Sequence, residues 1–282
     1  MYHHDSTLIN GAGDNSYRFA GPSEQVNNFV CFGSTATSCP TDNLYRIIGV
    51  IDDKVKLIKY DYANSNLLGT NGDYYQWDSL TPDGDYYKGN LTSIDTYYWN
   101  YKATDSQTNT WSTSLLNKIN LNTNFINNMG EGWANRIALT TWKVGGNTWN
   151  NLVGVVPSIS YQNEITKPDT TYSTDNATEY EAKIGLMYVS DYGFAASSES
   201  WTKIMNNYNN TTNNNWMYMG FYDWSLSRNS DHGYDVFSLT SFGDMTNNPV
   251  RAWYGVRPVF NLEPSVAYVS GSGTQSDPIL IN

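Results

Sequence analysis

The sequence predicts a single α+β domain made mostly of antiparallel strands, and three observations lead there. Two β-rich runs, Leu44–Val50 and Val55–Tyr60, flank an acidic turn. A stretch with helical spacing follows between 112 and 138, and strand-like runs return from 140 to 260. Hairpin, helices and then strands, rather than strictly alternating elements, is the order of an α+β protein. No shift in composition marks a boundary across the 282 residues, so one domain with long loops accounts for the chain.

Residues 1–43 are rich in Gly, Ser and Asn, with one apolar patch at Phe29–Phe32, and read as an irregular leading segment. In the hairpin, Asp52-Asp53 supplies the turn. Lys54, Lys56 and Lys59 flank Val55, Leu57 and Ile58, which predicts one wet face and one buried face. Residues 63–110 repeat Tyr, Asp, Gly and Asn (GDYYQWD, GDYYKGN, DTYYWNYK) at no period of a known repeat array and read as a long, aromatic-pinned loop region. Ser112 or Ser114 can cap a helix with Leu115, Leu116 and Ile119 on one face. Phe125, Ile126 and Met129 continue the spacing, and Gly130 and Gly132 end it. A short stretch places Trp133, Ile137 and Ala138 on one side before Thr140–Val144 becomes extended. Leu152–Val156 and Lys183–Ser190 read as strands separated by a polar loop at 163–180. Ser197 or Ser198 can cap a helix carrying Trp201, Ile204, Met205 and Tyr208.

Composition narrows the class of function. Aromatic residues make up 15% of the chain and charged residues only 15%, against roughly 25% in ordinary soluble domains. Solubility therefore rests on Asn, Ser and Thr, a profile of exported β-rich proteins. The net charge is −11 and the basic residues are scattered, so the basic stripe that nucleic acid needs is missing, and acidic membrane surfaces are disfavoured for the same reason. Cys31 and Cys39 stand in VCFGSTATSCP, a short flexible loop, which points to a local disulfide in an oxidising compartment rather than to zinc. No secretory leader or membrane span is visible, so export would make this a piece of a longer chain. His3 and His4 carry no functional signal.

The informative stretch is Trp216–Leu262. Its ends, Trp216–Phe221 and Val256–Phe260, read as strands. Between them aromatic rings are interleaved with Ser, Asn, Asp, His, Gly and Thr, while Lys and Glu are nearly absent. Tyr and Trp offer large contact area at low entropic cost, and Ser, Asn and Gly offer adaptable hydrogen bonds, as in antibody combining surfaces. A polar β-meander with cross-strand aromatic pairs has the same composition. Catalytic patterns are missing: His232 is the sole histidine beyond the first four residues, no Gly-x-Ser-x-Gly elbow accompanies it, and no phosphate-cradling loop or His-Glu-x-x-His occurs. Carboxylate pairs such as Asp52-Asp53 and Glu179 with Glu181 leave a secreted carbohydrate-active enzyme or carbohydrate-binding module as an alternative.

Trp216-Met217-Tyr218-Met219-Gly220 resembles the Trp-Ile-Gly-Leu-like core strand of C-type lectin folds. Tyr254-Gly255-Val256-Arg257-Pro258-Val259 resembles the closing Gly-Phe-Arg strand of the formylglycine-generating-enzyme branch of that fold. Val269–Thr274 through Asp277-Pro278 looks like endings of surface proteins from gut Firmicutes. The resemblance covers about the last quarter of the chain. It implies a C-type lectin-like fold over 1–282 and a ligand-displaying late region at about 216–262. Segment Ser225–Tyr254 matches, in place and composition, the variable patch of proteins diversified by retroelements. The sugar-coordinating calcium motif does not carry over, because Glu263-Pro264-Ser265 lacks the Asn and follows the closing strand, and the late cysteines of the oxidases are missing.

The expectation is thus an extracellular or cell-surface bacterial protein that binds a protein or glycan ligand without catalysis, cofactor or metal, and without inserting into a membrane. A structural pilus or phage-particle subunit is a further alternative. The candidate contacts are Tyr222, Trp224, Arg228, Asn229, Asp231, His232, Tyr234, Asp235, Asn247, Asn248, Arg251, Trp253 and Tyr254. The rings would anchor, the arginines would make charge-assisted bonds, and the small polar groups would tune fit. Trp224 and Trp253 also have the character of core residues. Trp216, Met217, Met219 and Arg257 are expected to be structural, Arg257 holding a carbonyl or carboxylate near the strand end.

Overall fold

A computed structural model describes residues 1–36, 38–70, 87–100, 108–168 and 177–282. Most of the Tyr-rich loop region and part of the polar loop at 163–180 lie outside these residues. The described chain mixes α and β structure, with mostly antiparallel sheets and few helices.

The predicted hairpin is the centre. Leu44–Ile51 pairs with Lys54–Lys59, and Asp52 and Asp53 both take positive φ (49° and 58°), the two-residue turn whose twist suits a tight hairpin. Around it a nine-stranded sheet runs in the order Ile184–Gly185, Val259–Asn261, Lys54–Lys59, Leu44–Ile51, Phe29–Cys31, Ile279–Ile281, Tyr268–Ser270, with Tyr17–Arg18 and Tyr2–His3 added at one side. Only the junction of Ile279–Ile281 with Phe29–Cys31 is parallel among its pairs.

The leading segment is therefore not an irregular appendage, since it places three strands in the central sheet. His4 is buried against Phe194 and Trp201, and its Nδ1 accepts the Ala12 N–H at 3.0 Å. Cys31 and Cys39 form the expected disulfide.

The hairpin has no wet lysine face. Lys56 and Lys59 are both buried, and Lys56 Nζ reaches Asp191 at 2.6 Å while lying over the Tyr188 ring at 4.5 Å. Alternation predicts a half-exposed strand only if one face stays uncovered, and here other elements close over it. Arg46 is enclosed in the same way: its guanidinium lies 4.3 Å from Phe29 and 4.7 Å from Trp216, and it donates to Asn28 Oδ1 at 2.6 Å and to the Val26 carbonyl at 2.9 Å.

The helical region is present but differently wound. Trp111–Thr113 is a single 3₁₀ turn, Leu116–Phe125 is a π-helix, and Ile126–Met129 is an α-turn that stops at Gly130 (φ 86°). Side chains reinforce the five-residue period: Asn122 Nδ2 donates to the Asn117 carbonyl at 3.1 Å, and Thr123 Oγ1 donates to the Lys118 carbonyl at 2.8 Å. Asn120 and Asn124 both donate to the Leu68 carbonyl at 2.8 Å, tying this helix to the turn Ser65–Leu68.

Three strand expectations fail for local reasons. Leu152–Val156 joins two helices, Trp149–Leu152 and Pro157–Tyr161, because Thr148 caps the first and proline opens the second. Lys183–Ser190 pairs as a strand only at Ile184–Gly185. Tyr188 and Asp191 then form a reciprocal cap that starts the helix Val189–Ala195. Trp216–Phe221 is a turn, since Trp216 spends its N–H on the Gly21 carbonyl (2.9 Å) and its indole on the Phe19 carbonyl (2.9 Å), leaving no ladder. The helix expected after Ser197 is a pair of 3₁₀ segments, Ser198–Ser200 and Met205–Asn214. The closing strand starts later than expected, at Val259, and is clamped between Lys54–Lys59 and Ile184–Gly185.

Candidate functional site

The late stretch folds as a meander: Asp223–Asn229, Asp235–Leu239 and Met245–Pro249 run antiparallel, with Gly146–Asn147 added in parallel to the first. Trp253–Tyr254 leaves the meander to pair with Ile94–Tyr98, which pairs with Tyr87–Leu91. The Asp223–Gly255 bridge holds the two sheets together. Beneath them Arg257 Nε donates to Asp223 Oδ2 at 2.5 Å and a terminal nitrogen donates to the Met217 carbonyl at 2.8 Å, so Arg257 holds both a carboxylate and a carbonyl. Burial raises the Asp223 carboxyl to about 6 even with this arginine beside it.

The strand Asp223–Asn229 is buried along its whole length, which removes three expected contacts from the surface. Trp224 packs on Tyr254 at 4.4 Å and donates its indole N–H to the Tyr97 carbonyl at 2.8 Å. Arg228 donates from Nε to the Val144 carbonyl at 3.2 Å and lies over Gly146, where an added Cβ would come within 2.8 Å of its Cγ. Asn229 uses its side-chain oxygen to fix the turn, accepting the Asp231 N–H at 2.8 Å, and its carbonyl accepts from Asn109 Nδ2 at 2.7 Å. These residues shape the support, and a ligand at the surface would not reach them.

The remaining residues fall into groups. Asp231, His232 and Tyr234 are exposed on the turn after the first strand, Tyr234 at 52%. The Tyr234 carbonyl accepts the Val250 N–H at 2.9 Å, which brings exposed Arg251 and Trp253 (44% exposed) along the adjoining chain. Asp235 is largely buried, accepts from Asn247 Nδ2 at 2.8 Å, and lies 3.7 Å from His232 Nδ1; burial raises its carboxyl above the usual range. Tyr222 and Tyr254 form a second group, half-buried and stacked at 4.8 Å with planes 18° apart. Burial, then the neighbouring Tyr222, pushes the Tyr254 hydroxyl up to about 12, so that ring stays a neutral hydrogen-bonding group near pH 7.

Two pairs are split by strand alternation. Asn247 turns toward Asp235, whereas Asn248 donates to Ser238 Oγ at 2.8 Å on the other face. Tyr254 turns to Trp224, whereas Trp253 turns to Tyr98 (6.3 Å) and lies under the Lys88 ammonium (5.3 Å). Lys88 was not foreseen as part of this region, nor was Phe242, 71% exposed between the second and third meander strands and therefore at the opposite end of the meander from Asp231–Tyr234. Thr240-Ser241-Phe242-Gly243, a turn signal carrying a ring, was the available clue to Phe242. Nothing local marked Lys88, since Trp253, the ring it covers, lies far along the chain.

The chemistry on offer is stacking and hydrogen bonding. Among the described residues no three His, Cys, Asp or Glu side chains gather as a metal site, and no helix is long and apolar enough to cross a membrane. Comparison with protein-family models, with curated proteins and with solved structures finds no match for this chain.

Proposed function

We propose that this chain is a non-catalytic extracellular recognition protein of C-type lectin type, which holds a protein or glycan ligand against its late aromatic and polar surface. The observation that carries the reading is the pairing of exposed rings with a rigid support. Tyr234 and Trp253 project from turns and edges anchored by the buried strand Asp223–Asn229, and the Tyr222–Tyr254 stack is seated on Trp224. Rings held in place before binding lose little freedom on contact, which is why such groups dominate recognition surfaces. If the segment Ser225–Tyr254 is diversified, its variation is useful at Asp231–Tyr234 and in 247–254, because Ser225–Ser230 is buried and substitution there would disturb the support. The disulfide fits the extracellular assignment.

The test is a screen of the whole chain on a glycan array and against a displayed protein library. Each hit is then re-measured with Tyr234→Ala, Trp253→Ala and Tyr254→Ala. At least one variant is expected to weaken binding by about tenfold or more, the size of a hot-spot ring, while Tyr268→Ala, on the distant C-terminal strand, leaves it unchanged. Hits indifferent to all three variants would overturn the assignment of this surface. A reverse transcriptase gene beside an imperfect copy of the DNA encoding 225–254 would support the diversified reading.

A further inference from the structure

A separate concavity of about 250 Å³ lies at the end of the central hairpin, between the Asp52–Lys54 turn and the strand Thr140–Lys143, and it shares no residue with the late surface. Its size is below the usual range for drug-like ligands and equals the share of about eight waters. Four cations line it: Arg18, Lys54, Lys56 and Lys143. Four carboxylates balance them. Asp52 and Asp191 are in the lining, Asp14 holds Arg18 from behind at 2.6 Å, and Glu179 holds Lys143. Asp191 is shared by Lys56 at 2.6 Å and Arg18 at 3.4 Å. Glu164 stands behind the lining, close to half-protonated at neutral pH because burial lifts it to about 7.

A ligand with net charge would enter this balance uncompensated, at a large desolvation cost. A flat sugar ring would seek an open aromatic face, yet Lys56 already lies over Tyr188 and Trp142 (4.5 and 5.7 Å), and Arg18 over Tyr161 (5.2 Å). What the lining does offer is one cation and one anion on a single turn. Lys54 and Asp52 make no ion pair or side-chain hydrogen bond among the described residues, whereas the other charges of the lining are paired.

We propose that this pocket takes a small zwitterion of the free amino-acid class, its carboxylate against Lys54 and its ammonium against Asp52. Each ligand charge then meets an opposite charge that has no other partner, and the charge balance of the pocket is preserved. Calorimetric titration of the whole chain with each of the twenty common amino acids tests it. At least one is expected to bind saturably at one site per chain, and its N-acetyl and methyl-ester derivatives, each lacking one charge, to bind about tenfold weaker or less. Lys54→Ala and Asp52→Asn, both changes at the rim and the second keeping a residue that tolerates the positive φ of the turn, should each cost about tenfold or more with the thermal transition unchanged. Failure of all twenty to bind would overturn the proposal, as would equal binding of the N-acetyl form or preferential binding of a neutral hexose.

Discussion

Replacing Glu164 by Gln should flatten the fall in stability between about pH 5 and pH 7. Glu164 is buried between the start of the helix Val189–Ala195 and the strand Asp223–Asn229: Oε1 accepts the Val189 N–H and Oε2 the Ser190 N–H, both at 3.0 Å, and Ser227 donates its hydroxyl to it. Burial nevertheless dominates these bonds and lifts the carboxyl from 4.5 to about 7. The fold therefore prefers the protonated acid. That preference is fully present below the unfolded value of 4.5 and is lost as pH rises through 7. At 1.36 kcal/mol per pH unit the full effect is about 3 kcal/mol, and linkage puts about 2 kcal/mol of it between pH 5.5 and 8.5.

Glutamine keeps the shape and has no proton to lose. The variant carries a constant offset from presenting an amide to backbone donors, but the pH-dependent part vanishes. The assay is urea denaturation followed by tryptophan fluorescence and circular dichroism, with both proteins compared at pH 5.5, 7.0 and 8.5 and midpoints converted at a common slope. Wild type should lose about 2 kcal/mol relative to Glu164→Gln across that range. Asp223 and His4 titrate in both proteins and cancel in the difference. Parallel profiles, agreeing within about 0.5 kcal/mol, would refute the view that burial outweighs the hydrogen bonds at Glu164.

Two other outcomes follow from buried charge and from the crosslink. Asp223→Asn removes the partner of a fully buried arginine and should destabilise the fold by about 3–5 kcal/mol, read as a lowered urea midpoint; a loss under about 1 kcal/mol would mean that the Met217 carbonyl alone satisfies Arg257. The Cys31–Cys39 bridge spans eight positions, for which loop-closure entropy gives about 2.5 kcal/mol. Cys31→Ala/Cys39→Ala should lose that amount, and a reducing agent should bring wild type to the same midpoint while leaving the double variant unmoved.

Signals confined to neighbouring residues were legible in the sequence. The hairpin around Asp52-Asp53, the disulfide loop, the strand Thr140–Lys143 and the stop at Gly130 all appear where turn chemistry and short-range pattern put them. So does the anchoring part of Arg257, an arginine in an apolar strand end that needs an oxygen partner. The mixed, mostly antiparallel architecture also follows from element order. Burial is another matter, because it depends on what lies across space. Lys54 and Lys56 alternate as a wet face would, yet Asp191, Tyr188 and Trp142 close over Lys56 from far along the chain. Trp224, Arg228 and Asn229 have the composition of a contact surface and became support because the first meander strand lies between Asp235–Leu239 and Gly146–Asn147 and is buried along its whole length. Trp216 looked like a strand residue and instead closed a turn over Arg46. The pocket beside Asp52 and Lys54 had no linear signature at all. Pattern along a chain records the preferences of each residue, whereas exposure and charge pairing are settled when distant segments meet, and in this protein that meeting decided which rings remained available to a ligand.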